Sequence, residues 1–216
     1  MLKNSDKKKK NMWDLGVRPS RIEALCDGVF AIAMTILVLE LSLDVHILEG
    51  VAHPSEENFS HLFVAIYTYV MGFIILGIYW AFHHYIFHFI KRSNGVLVWL
   101  NVLFLMFAAL VPFSTKVNQL YPESYSGYVF FILTTVITFL FIMVIWRYAT
   151  KGYRLVDQDL SRETINFVNK IIIIGTILIL GVLIITNYIP WFGYMGFIPM
   201  IYVIIAIAYG HHKPFF

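Results

Sequence analysis

Charged residues are scarce in this sequence: Asp, Glu, Lys and Arg make up 13% of its 216 residues, whereas 59% are hydrophobic. A soluble globular domain usually carries about a quarter charged residues. Because so few charges cannot cover the surface of a chain this long, most of that surface must face something other than water. The composition therefore favours an integral membrane protein, with the lipid bilayer as its partner, and no nucleic-acid partner is expected.

Cysteine is nearly absent as well. Cys26 is the only one, which excludes intramolecular disulfides and any metal site of the Cys-x-x-Cys type. No pairing of a nucleophile with a base suggests hydrolysis. We therefore expect no enzyme, no cofactor and no structural metal.

Long apolar runs are present instead. A membrane-spanning helix needs about 20 mostly apolar residues, and six segments qualify. The second is long enough to tilt or to project from the bilayer, and Pro112 should loosen the last turn of the third. The sequence thus predicts an all-α integral membrane protein with six transmembrane helices, at about 25–43, 61–90, 95–114, 128–149, 167–188 and 191–209.

Basic residues predict the orientation of these helices, because cytoplasmic loops are enriched in Lys and Arg. If both termini are cytoplasmic, every Lys and Arg except Lys116 lies on the cytoplasmic side. The Lys-rich start lacks a signal-peptide cleavage site after its apolar run, so we expect it to be retained. The predicted parts are a basic cytoplasmic leader at 1–20, a six-helix transmembrane domain at 21–212 and a short tail at 213–216.

Polar residues at membrane depth form one predicted layer near the cytoplasmic surface. Ionisable groups at this depth are costly and usually functional, although a polar cluster between helices also serves simply to hold them together. We expect a structural network in which Asp27 accepts a hydrogen bond from a histidine or from Asn101; direct contact with an ion is the alternative. The layer comprises Arg21 and Asp27 in the first helix, Trp80, His83 and His84 in the second, and Asn101 in the third.

The histidines leave further alternatives open. His84 and His88 have the i, i+4 spacing that suits a metal, but no nearby cysteine or second acidic ligand completes a site. A haem-binding subunit would need histidines from two helices at matching depth. A proton-coupled transporter could use Asp27 and the histidines as a relay, although paired interrupted helices of the kind that mark transporter sites are not evident.

The first helix carries two stripes at helical spacing. Ile32, Ile36 and Leu39 form an apolar stripe bordered by Thr35. Small residues form the other stripe, which would allow another helix to approach closely. By periodicity alone the apolar stripe is ordinary helix-packing core. The small residues are Ala24, Gly28 and Ala31.

Residues 21–27 read Arg-Ile-Glu-Ala-Leu-Cys-Asp. This resembles the signature Arg-x-x-x-Phe-Ser-Asp that opens the first helix in the transmembrane protein 175 family, the lysosomal-type potassium channels and their prokaryotic relatives. Leu25 and Cys26 depart from it. Further family-like matches are the segments at 80–84, 100–101 and 112–115.

The resemblance implies a potassium-permeable channel of a prokaryotic cell membrane, with potassium as the permeant ion and six-helix subunits assembled as a homotetramer. The first helix of each subunit would line the pore. Rings of Ile32, Ile36 and Leu39 would form the constriction, with Thr35 adding a hydroxyl ring. The sequence has no Thr-Val-Gly-Tyr-Gly filter. The polar cluster of Arg21, Asp27, His84 and Asn101 would hold the first helix in place.

Overall fold

The computed structural model describes residues 16–49, 56–121, 124–186, 201–202 and 205. Helices make up most of these residues, and within them no β-strand forms beyond an isolated bridge between Ile90 and Val156. A single 3-10 turn, Lys151–Tyr153, follows the fifth helix. The helices are α1 (Pro19–Glu49), α2 (Glu56–Phe89), α3 (Gly95–Ala109), α4 (Val111–Leu120), α5 (Tyr125–Thr150) and α6 (Arg162–Thr186).

Five stretches of the described chain are long and apolar enough to cross a membrane. Helices α1, α2, α5 and α6 each contain one, and α3 and α4 together supply the stretch Gly95–Leu120. The predicted all-α membrane fold is confirmed at this level. Most of the sixth predicted helix, at 191–209, lies outside the described residues, as do the tail at 213–216 and most of the basic leader.

The third span differs from its prediction. Pro112 does not loosen a last turn at 114; it stands in the first turn of α4, and the helix continues to Leu120. Proline lacks the N–H that a helix interior requires but fits the first turn, where that N–H has no partner. Leu110 ends α3 and precedes α4, and its carbonyl accepts from the Ser114 N–H at 2.9 Å.

One face of α1 packs against the antiparallel helix α2. Near the start of α1 Cys26 contacts His83, and further along α1 Leu37 lies against Gly72. Helices in lipid associate through close packing and interhelical hydrogen bonds, and this face offers both. Its buried residues recur at helical spacing and are Ile22, Cys26, Phe30, Ala33 and Leu37.

Helix α5 is the most deeply packed span, with half of its apolar window buried between the other helices. Trp146 and Phe139 are buried along it. The Tyr79 hydroxyl of α2 donates to the Thr135 carbonyl of α5 at 2.8 Å. Helix α2 is therefore fixed on both sides, by α1 and by α5.

The α2–α3 turn joins the start of α1 to the α5–α6 loop. The Nη2 atom of Arg92 donates to the carbonyls of Tyr153 and Val156, at 2.9 and 2.6 Å. The Ser93 hydroxyl donates to the Val17 carbonyl just before α1. These bonds fix where α1 enters the helix bundle.

Candidate functional site

The predicted constriction residues lie on the face of α1 that the described part of the chain leaves uncovered. Ile32, Ile36 and Leu39 are 62%, 41% and 61% exposed, and Thr35 is exposed between them. We call these four residues the α1 ridge. The Thr35 hydroxyl donates to the Ile32 carbonyl at 2.8 Å. Because its hydrogen is engaged within the helix, the Thr35 oxygen presents acceptor lone pairs outward.

The predicted small-residue stripe lies beside the α1 ridge. Ala24, Gly28 and Ala31 are all exposed, and a Cβ built on Gly28 would meet no described atom within 4 Å. The uncovered face of α1 therefore combines a flat strip with a bulky ridge. Small residues of this kind let a second helix approach the backbone closely.

Asp27 accepts its hydrogen bond from Trp80, whose Nε1 lies 2.8 Å from Oδ1. The expectation that a histidine or Asn101 would donate to Asp27 is therefore wrong. The register of the α1–α2 pair places the indole beside the carboxylate, and an indole N–H can only donate. Both side chains are exposed, so this bond lies at the edge of the α1–α2 contact.

His83 forms a separate, buried chain of polar contacts. Its Nδ1 lies 3.3 Å from Cys26 Sγ, and its Nε2 lies 2.7 Å from Asn101 Oδ1. A neutral imidazole has one donor and one acceptor nitrogen, so both ring nitrogens are used. The ring also stacks between Phe87 and Phe104, with centroids 4.1 and 5.2 Å away. This chain of contacts links α1, α2 and α3.

His84 and Arg21 lie apart from that buried chain. His84 is exposed, stacks on Trp80 with ring centroids 5.9 Å apart, and has Nδ1 3.9 Å from Glu23 Oε1. The Arg21 side chain is exposed and has no hydrogen bond or ion pair with the described residues. The structure thus divides five of the six predicted network residues into two groups and leaves Arg21 outside both. Asp27, Trp80 and His84 lie at the exposed edge, and His83 and Asn101 lie in the core.

Glu23 is a member of the cluster that sequence reasoning missed. A signal for it existed. In an antiparallel helix pair, the residue one turn before Asp27 on α1 faces the residue one turn after Trp80 on α2. That relation pairs Glu23 with His84 once the Asp27–Trp80 contact is known. Hydropathy alone does not supply this register.

The two histidines considered as possible metal ligands lie on the surface. His84 and His88 are both exposed. No cluster of three or more His, Cys, Asp or Glu side chains able to hold a metal occurs in the described part of the chain.

Comparison with known proteins gives a consistent set of similarities. Residues 21–112 match the family model described as "Endosomal/lysosomal potassium channel TMEM175". The chain is 32% identical over 157 residues to a protein of Chamaesiphon minutus named a potassium channel, covering 69% of this chain and 75% of that one. It is 40% identical over 96 residues to a Chryseobacterium protein of the same description, covering 44% and 46%. The alignment thus spans less than half of the Chryseobacterium protein.

A vertebrate protein and a solved structure add to this. Human TMEM175, named an endosomal/lysosomal proton channel, is 31% identical over 102 residues, which are 43% of this chain and 19% of that protein. The crystal structure of a lysosomal potassium-selective channel TMEM175 homolog from Chamaesiphon minutus superposes with a TM-score of 0.69 at 22% identity. It covers 87% of this chain and 97% of the other, so the two chains share a fold.

Proposed function

The chain belongs to the TMEM175 family of channels, and on that premise we propose that it is a potassium-permeable channel whose pore is lined by α1. Members of this family are channels rather than enzymes. The bacterial relatives and the apolar helices identify the chain as a multi-pass protein of the plasma membrane. Passive flow of potassium down its gradient is the activity proposed.

The uncovered α1 ridge is the observation that carries this proposal. Three bulky apolar side chains point away from the protein's own core, while the opposite face of α1 is buried. Lipid could cover such a ridge, but Asp27 is exposed on the same helix, between one and two turns before Ile32, and a carboxylate facing acyl chains is costly. A neighbouring subunit and a water-filled axis accommodate both the ridge and the acid.

A ridge on one helix cannot enclose a pore, so several copies must contribute. We propose a homotetramer of six-helix subunits with both termini in the cytoplasm, as the family resemblance implies. The strip of Ala24, Gly28 and Ala31 is exposed beside the ridge, where it would let the first helices of adjacent subunits lie close together. The tetramer would then have four ridges around its axis.

Gating and selectivity follow from the chemistry of the ridge. A ring of apolar side chains can block ions by dewetting, so a small change in its radius switches conduction. The outward lone pairs of Thr35 would give a permeating cation oxygen ligands at the same level. The bonds from Trp80 to Asp27 and from Cys26 to His83 would hold α1 in its conducting position.

A reconstitution experiment tests the proposal. Purified protein in potassium-loaded liposomes should release potassium down its gradient, with compensating current and no requirement for a proton gradient. Ile36→Ala should raise the flux per channel, because it widens the constriction. Ile177→Ala is the matched control, since Ile177 is also an exposed isoleucine, 61% exposed on α6. Equal flux in the two variants would place the α1 ridge in lipid and refute its role.

Proton conduction is the second candidate, because four vertebrate relatives are named proton channels. In the same liposomes a pH-sensitive dye reports it directly. Valinomycin and potassium clamp the membrane voltage in this assay. A pH gradient that still dissipates under the clamp indicates a passive proton pathway. Strict exchange of protons for potassium, with no uncoupled current, would instead favour a proton-coupled transporter using Asp27 and the α2 histidines.

A further inference from the structure

One glycine of α2 lies behind the α1 ridge, against Leu37 on the buried face of α1. Gly72 is buried. A Cβ built on it would lie 3.1 Å from Leu37 Cδ2 and 3.3 Å from Leu37 Cδ1. It would also lie 3.5 Å from Thr115 Cγ2 on α4. The first two separations are tighter than nine in ten real Cβ contacts, so a side chain at position 72 requires Leu37 to give way by a few tenths of an ångström.

Leu37 has little freedom to yield. It is buried, and so is Ala33 one turn earlier on the same face. Both of its methyl groups border the space above Gly72, so exchanging one for the other by rotation brings no relief. Packed interiors transmit such strain to the backbone, because voids that could absorb it are few. Added volume at position 72 would therefore move α1 itself.

The direction of that movement follows from helix geometry. With about 100° between successive residues, Leu39 lies about 200° and Ile32 about 220° around α1 from Leu37. Both residues are exposed on the side opposite to Leu37. A push on Leu37 from Gly72 therefore moves the α1 ridge outward, away from its own subunit.

We propose that Gly72 is a positioning residue that sets how far the α1 ridge projects, and thereby sets the width of the constriction. This inference rests on the proposed function, because it assumes that the ridge lines the conducting path. Gly72 touches no ion in this scheme; it acts only through Leu37. In a ring of copies, the outward shift of every α1 would narrow the opening between them.

A matched pair of substitutions tests this. Gly72→Ala and Gly77→Ala place the same methyl group on the same helix and give the same gain in helix propensity. The new Cβ at position 77 would meet only Met34 Cε, at 3.9 Å, which is an ordinary contact with a flexible side chain. Single-channel recording in planar bilayers should show unchanged conductance for Gly77→Ala. For Gly72→Ala we expect a fall in single-channel conductance, because overpacking at position 72 shifts α1 and a narrower constriction passes fewer ions.

Rescue distinguishes positioning from a general loss of structure. Leu37→Val removes both Cδ atoms that the new methyl would meet, so the double variant G72A/L37V should recover most of the wild-type conductance. L37V alone removes atoms from the contact between α1 and α2, so α1 can move towards α2 and the constriction should widen. The expected rise in conductance tests the proposal even where Gly72→Ala is poorly folded. Three results would each overturn the positioning role. The first is equal conductance in Gly72→Ala and Gly77→Ala, the second is no recovery in the double variant, and the third is unchanged conductance in L37V. A wild-type protein that conducts no potassium would overturn the proposed function instead.

Discussion

Replacing Trp80 with phenylalanine removes one hydrogen bond and keeps most of an aromatic ring. The Nε1–Oδ1 distance to Asp27 is 2.8 Å, and a hydrogen bond to a charged group contributes about 1.5–3 kcal/mol. Because Trp80 is 40% exposed and Asp27 is also exposed, water competes for the carboxylate. We therefore expect a loss of about 1 kcal/mol in the free energy of unfolding, below the usual range for buried bonds to charged groups.

Thermal unfolding in detergent measures this loss. For a chain of this size 1 kcal/mol corresponds to a fall of about 2–4 °C in Tm. Trp99→Phe is the matched control, because Trp99 is 59% exposed and its indole has no hydrogen bond with the described residues. That substitution should leave Tm nearly unchanged.

A double-mutant cycle identifies Asp27 as the partner. Alanine at position 27 offers the indole N–H no side-chain acceptor, so Trp80→Phe should cost almost nothing in an Asp27→Ala background. If the two substitutions add within about 0.3–0.5 kcal/mol, as independent sites do, the bond between α1 and α2 makes no measurable contribution and our account of this cluster is wrong.

Other substitutions test the buried polar contacts by the same unfolding measurement. Cys26→Ser keeps a donor beside His83 and should change stability by less than about 1 kcal/mol; a larger loss would show that the thiol's size matters more than its bond. Tyr79→Phe deletes the bond to the Thr135 carbonyl and should cost about 0.6 kcal/mol, the average for interhelical bonds in membranes; a stabilised variant would contradict it. His83→Phe strands the Asn101 carbonyl in the core and should cost about 1–3 kcal/mol, whereas a cost near zero would mean that stacking on Phe104 alone holds the ring.

Hydropathy was sufficient to predict the five spans that lie in the described residues, because each span is a local property of about 20 residues. It could not predict whether Pro112 ends the third helix or begins the next one, since that depends on what packs around the proline. Local pattern also marked Ile32, Ile36 and Leu39 as a stripe, but not which way that stripe faces. Only the packing of the opposite face against α2 shows that, among the residues described, none covers the ridge.

The partner of Asp27 marks where sequence reasoning stops. Trp80, His83 and His84 all lie within about one turn of α2, and each can donate a hydrogen bond. The choice among them depends on a rotation of one helix against the other, which no single sequence encodes in a readable form. Once the register is known, the Glu23–His84 contact follows one turn away.

The contacts behind α1 divide into two kinds along its length. Polar contacts hold the part near the start of α1, where Cys26 and Asp27 meet α2; under the proposed orientation this is the inner part. Further out, Leu37 meets Gly72 through apolar surface alone. Hydrogen bonds fix direction as well as distance, whereas close packing at a glycine limits only how near the helices come. The inner contacts would therefore set the rotation of α1, and so which side chains face outward, while Gly72 would set how far those side chains project. Under the proposed function, inner variants should change which residues face the ion, and Gly72 variants should change only the width of the path.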